Sequence, residues 1–82
     1  MNLNNLNKLV YFCTLAKLKH YVEAAEELQI SLPALDQAMA SLEEEIGTEL
    51  FERDGRSVTL TKNGVIYLDH IKTALGRISE VL

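Results

Sequence analysis

The stretch from His20 to Gly47, HYVEAAEELQISLPALDQAMASLEEEIG, most narrows what this 82-residue chain can fold into. Ala24, Ala25 and Leu28 make one short apolar stripe, Gln29-Ile30-Ser31 interrupts it, and Leu35, Met39, Leu42 and Ile46 make a second stripe at helical spacing. The spacing predicts two helices around a tight turn. A helix-turn-helix also needs small residues where its helices touch, and apolar residues at set offsets. Ala24 and Ala25 fall at the crossing, Leu28 and Ile30 plug the gap beside the turn, and Leu35 and Ala38 close it. An ordinary antiparallel helix pair fits this stretch alone, because short helix connections are common. The flanks favour the more specific motif.

Before this stretch, Leu3, Leu6, Leu9, Val10, Phe12, Cys13 and Ala16 recur three and four apart, predicting a helix from about Asn4 to Lys17. Asn2, Asn4 and Asn5 are candidate caps. Lys17 and Lys19 suit the negative end of that helix dipole, and they are also placed for phosphate contact. His20 occupies the position before the second helix, where Ser or Thr caps better, and reads as an incidental polar residue. In the third helix Ser31 is the expected N-cap, Pro33 falls in the first turn where a missing N–H is tolerated, and Gly47 supplies the left-handed stop. With Leu35, Met39, Leu42 and Ile46 turned inward, Pro33, Gln37, Ala40 and Glu44 point outward, with Asp36 and Ser41 on the flanks.

The segment LFERDGRSVTLT reads as two short strands, Leu50–Arg53 and Ser57–Leu60, joined through Asp54-Gly55, a pair suited to a type I′ turn. Such a hairpin after a helix-turn-helix is a wing. Arg53 and Arg56 flank its tip, either as solvated turn residues or as side chains able to enter a minor groove. Thr61 then caps a last helix in which Leu68, Ile71, Leu75, Ile78 and Leu82 repeat at three, four, three, four, the seam of a coiled coil. That seam predicts a partner helix. The alternative is packing along its own domain, near Val65, Ile66 and Leu68, since two heptads are marginal alone.

Composition excludes much else. An 82-residue chain with 48% hydrophobic residues builds one small core, and no apolar run approaches the roughly 18 residues of a membrane span. The polar start MNLNNLNK lacks the layout of a signal peptide, which predicts a cytoplasmic protein without membrane association. The single cysteine, Cys13, rules out an internal disulfide and reads as a small core side chain before a reactive thiol. His20, His70 and Cys13 have no spacing that assembles a nucleophile, a base or a metal site, and no glycine-rich phosphate loop is present. No enzyme activity and no cofactor are expected.

The order helix, helix-turn-helix, wing, long helix, together with AAEELQISLPAL, LEEEIGTELFER and LTKNG, closely resembles the N-terminal DNA-binding domain of LysR-type transcriptional regulators. The resemblance covers the whole chain. It implies a mainly α fold, with a winged helix-turn-helix of three helices and a two-stranded wing in residues 1–60 and a linker and dimerisation helix in 61–82. It further implies a homodimer, joined through Leu68, Ile71, Leu75, Ile78 and Leu82, that sets one recognition helix in each of two successive major grooves of double-stranded DNA. The implied DNA-binding set is Ser31, Leu32, Pro33, Asp36, Gln37, Ser41, Arg53, Arg56, Thr61 and Lys62. Full-length members continue into an effector-binding domain that these 82 residues do not include, so effector recognition is expected elsewhere and the chain is expected to be an excised domain or a short homologue.

Several positions depart from the family pattern. Leu32 stands where Gln is common, Asp36 where Ser is common, and Ala40 and Ser41 where Arg or Lys is common, while Pro33 and Gln37 match. Between His20 and Leu50 there is no Lys or Arg, against eight acidic residues, and the net charge is −4. DNA affinity rests largely on neutralised phosphates, so weak intrinsic binding is expected. Two functions follow: sequence-specific DNA binding within a transcriptional regulator, or an acidic module that keeps the fold for protein interaction or dimerisation.

Overall fold

Among the described residues, glycine, proline and capping residues mark off four helices and one hairpin. The computed structural model describes the backbone of residues 3–81 and the side chains of residues 6–74. The elements are α1 (Leu3–Leu18), α2 (Tyr21–Leu28), α3 (Leu32–Ile46), β1 (Phe51–Asp54), β2 (Ser57–Leu60) and α4 (Lys62–Val81). This is the winged helix-turn-helix that the spacing predicts. The candidate caps Asn2, Asn4 and Asn5 and the seam residues Leu75, Ile78 and Leu82 lie outside the described side chains.

The helix ends follow their local chemistry. Ser31 accepts a hydrogen bond from the Ala34 amide at 3.1 Å, and Gly47 ends α3 at φ 87°, as their residue types dictate. His20 departs from expectation: its ring Nδ1 accepts from the Glu23 amide at 3.4 Å, so it is the N-cap of α2. Any acceptor placed over the first turn can answer those free amides. Gln29 and Lys19, at φ 58° and 60°, take the left-handed positions that turn the chain after α2 and α1.

Phe12 and Leu15 of α1, Ala24 and Ala25 of α2, and Leu35, Met39 and Leu42 of α3 form the buried core, joined by Leu50, Phe51, Val58 and Ile71. Phe12 meets the rings of Phe51 and Tyr67 at 5.2 and 5.3 Å, tying the hairpin and α4 to α1. The alanines admit α2 close to its neighbours, as the motif requires. Six apolar positions differ from expectation. Leu6 and Val10 are exposed because the apolar positions of α1 wrap beyond the face its neighbours cover, and Ile46, in the last turn of α3, is 37% exposed. In α4, Ile71 is only 6% exposed and belongs to the domain's own core, whereas Val65 and Ile66 are 55% and 48% exposed. Seam spacing on one helix serves burial against a neighbour in the same chain as well as against a partner.

The hairpin turn lies one residue further along than expected. Asp54 pairs with Ser57, leaving Gly55 and Arg56 as the loop, and the positive φ falls on Gly55 alone, at 65°. Glycine at the first central position suits type II′ rather than I′. The observed register sets Phe51 opposite Leu60 and Arg53 opposite Val58 on the inner face. A turn centred on Asp54-Gly55 would instead put Arg53 opposite Arg56, and like charges directly opposed are unfavourable.

Two junctions fix the hairpin. Val58 donates to the Lys19 carbonyl and Tyr21 to the Arg56 carbonyl, both at 3.0 Å, so the wing is bonded to the α1–α2 connection. At its other end, Glu43 Oε2 accepts from the Leu50 and Phe51 amides at 2.7 and 3.3 Å. Thr61 caps α4 by accepting from Gly64 N at 3.0 Å, while its hydroxyl donates to the Glu49 carbonyl at 2.7 Å. A Cβ on Gly64 would come within 2.1 Å of the Leu50 carbonyl oxygen, which is why this position holds glycine.

Candidate nucleic-acid interface

The N-terminal half of α3 and the wing enclose an open groove of about 350 Å³, lined by Tyr21, Leu32, Pro33, Asp36, Arg53, Gly55 and Arg56. Strand pleating explains its chemistry. Arg53 shares the inner face of β1 with Phe51, but lies nearer the tip, where the core has ended and α2 and α3 present Tyr21 and Asp36. Its guanidinium sits 4.7 Å above the Tyr21 ring and donates to Asp36 Oδ1. Both partners are about half exposed.

Electrostatics follow from this cluster. Partial burial pulls the Arg53 pKa down, yet Asp36, with Tyr21 and Glu43 nearby, outweighs it and leaves the guanidinium above the ordinary arginine value. Burial pushes the Tyr21 phenol up, opposed by Arg53 and reinforced by Asp36 and Glu43. Asp36 is therefore held by a cation, where the sequence alone left it without one. The acidic run beyond it is also engaged. Glu45 pairs with Lys8 of α1 at 2.6 Å and Glu43 binds the backbone at the start of β1, whereas Glu44 is exposed.

The groove brings together Leu32, Pro33, Asp36, Arg53 and Arg56, with exposed Gln37 beside Asp36 on α3. Ser31 caps the helix at the groove's edge. Ser41 faces elsewhere: its hydroxyl accepts from Lys8 Nζ at 2.9 Å, toward α1. Thr61 and Lys62 lie at the start of α4, outside the groove, and the Thr61 hydroxyl is committed to its local bonds. Tyr21 is the contributor that sequence reading missed. Its position at the start of α2, directly after a connection that the wing pairs with, is visible only in the folded chain.

Residues 6–65 match the family described as bacterial regulatory helix-turn-helix protein, lysR family. The chain belongs to that family. It is 40% identical over 73 residues to the uncharacterized HTH-type transcriptional regulator YybE of Bacillus subtilis, covering 89% of this chain and 25% of that protein. Among solved structures, it is similar to the CbnR DBD–DNA complex, with TM-score 0.85 and 29% identity over 92% of this chain and 86% of that one. The BenM DBD/benA site 1 DNA complex gives TM-score 0.85 and 30% identity over 93% and 88%. The LysR-family domain thus spans about a quarter of the length of curated relatives such as YybE. The winged fold is that of LysR DNA-binding domains solved on DNA.

Proposed function

We propose that this domain binds double-stranded DNA as the DNA-binding unit of a cytoplasmic transcriptional regulator, through the N-terminal half of α3 and the wing. The observation that carries this reading is the groove that gathers Leu32, Pro33, Arg53 and Arg56 at one rim of the domain. Gln37 is the base-reading candidate, since its amide can bond adenine through two hydrogen bonds, and Leu32 can touch a thymine methyl. The Ser31 cap sits at the N-terminus of α3, where free amides and the helix dipole favour phosphate. Arg56, and Lys62 at the start of α4, supply charge for the backbone. Ser41, turned to α1, is left out of the reading set. Binding and not catalysis is the proposed role, consistent with relatives that are transcriptional regulators.

Pairing of two domains through α4 is part of the same proposal, with exposed Val65 and Ile66 and the sequence positions Leu75, Ile78 and Leu82 as its apolar contributors. Ile71 serves the core instead. A sedimentation mass of one chain at concentrations that saturate DNA would remove this element. For DNA binding itself, the test is a salt titration on duplex DNA from upstream of the parent gene, with random duplex as control. Replacing Arg53 and Arg56 by Ala should weaken binding to all sequences and shallow the salt slope by up to about two phosphate contacts, near 0.9 each. Absence of binding even at about 50 mM salt, where phosphate contacts are strongest, would favour the protein-interaction role.

A further inference from the structure

We propose that Asp36 is an internal rival of DNA phosphate for Arg53, so that the domain must exchange this ion pair for a phosphate contact when it docks. The inference rests on the DNA-binding reading above. Its basis is placement: Asp36 and Arg53 stand on opposite walls of one groove, on α3 and β1, and their contact closes across it. A carboxylate and a phosphate offer the guanidinium the same planar pair of acceptor directions, so either can fill its donor fork. Both side chains are about half exposed, and the pair is therefore in the class that contributes little stability and is screened by salt. The contrast with Lys8 and Glu45 is one of position, since that pair bridges α1 and α3 away from the groove.

Arg53 is also stacked on Tyr21, which holds the guanidinium in one place while its acceptor changes. Exchange carries a defined cost in affinity. The binding-competent state, with Arg53 free of Asp36, is only a fraction of the population, and apparent affinity falls by that fraction. Gly55 and Arg56 complete the groove at the wing tip, and Arg56 has no carboxylate partner among the described ion pairs. Of the two groove arginines, one is thus available at once and the other only by exchange.

The test uses this chain and the variant Asp36→Asn, each titrated with a random-sequence duplex, with circular dichroism to verify that the variant is folded. Asp36→Asn should bind about two- to fivefold tighter, the factor set by an exposed ion pair. Its salt slope should stay within less than one phosphate contact of the parent's, about 0.9, because Arg53 meets phosphate in both complexes. In the unsubstituted chain, the Arg53 side-chain N–H resonance should move on adding duplex, as Asp36 is replaced. Binding with the Arg53 resonance unmoved, or Asp36→Asn binding no tighter than the parent, would overturn the exchange and leave DNA binding standing. No duplex binding by either protein at about 50 mM salt would instead remove the DNA-binding reading, and the exchange with it.

Discussion

In the C-terminal half of α3, Glu43 holds the amides that begin β1 and Glu45 meets Lys8 of α1, whereas in the N-terminal half Asp36 meets Arg53 across an open groove. The same residue chemistry thus has two uses on one helix. At the back, carboxylates fasten α3 to the wing junction and to α1. At the front, a carboxylate occupies a cation that a docking polyanion would also seek. An acidic recognition helix is therefore less repulsive than its composition implies, because Glu45 and Asp36 each carry a cationic partner, while Glu43 is directed at backbone amides. The exposed positions of this helix include Glu44 and the half-exposed Glu45, together with the uncharged Leu32, Pro33, Gln37 and Ala40.

The comparison breaks most visibly at Glu43. Replacing it by Ala strips the part-buried Leu50 and Phe51 amides of their acceptor, a loss of about 1–3 kcal/mol in a urea unfolding experiment. A change within about 0.5 kcal/mol, the spread expected for ordinary surface substitutions, would show that water replaces the carboxylate without penalty. Lys8→Ala tests the same half of the helix more gently. It should lower stability by less than about 1 kcal/mol, an effect that fades with added salt, and leave duplex affinity unchanged. A marked loss of DNA affinity in Lys8→Ala would put α1 at the interface and erase the distinction between back and front.

Much of this architecture was legible because it is local. Ser31, Gly47 and Thr61 mark helix ends through bonds that span three or four residues, and the stripe Leu35, Met39, Leu42 declares its buried face by spacing alone. His20 was misread, since its residue type is a poor capping signal although its ring nitrogen reaches the Glu23 amide. The contacts that define the groove were not legible. Asp36 and Arg53 are 17 positions apart, Lys8 and Glu45 are 37, and both pairs depend on how helices and hairpin dock. The turn register had the same limit: Asp54-Gly55 is a good local signal, but opposing Arg53 to Val58 rather than to Arg56 is a cross-strand preference. Ile71 shows the converse, because an apolar repeat records that a position is buried without recording against what.

Amide resonances of the labelled domain, followed as duplex DNA is added, test most directly whether the front of α3 and the wing form the DNA interface. Shifts should concentrate at Leu32–Gln37 and at Arg53–Ser57, with Lys8 and Glu45 unmoved. Shifts centred on α1 or on the exposed Val65 and Ile66 of α4, with the groove residues unchanged, would contradict that assignment.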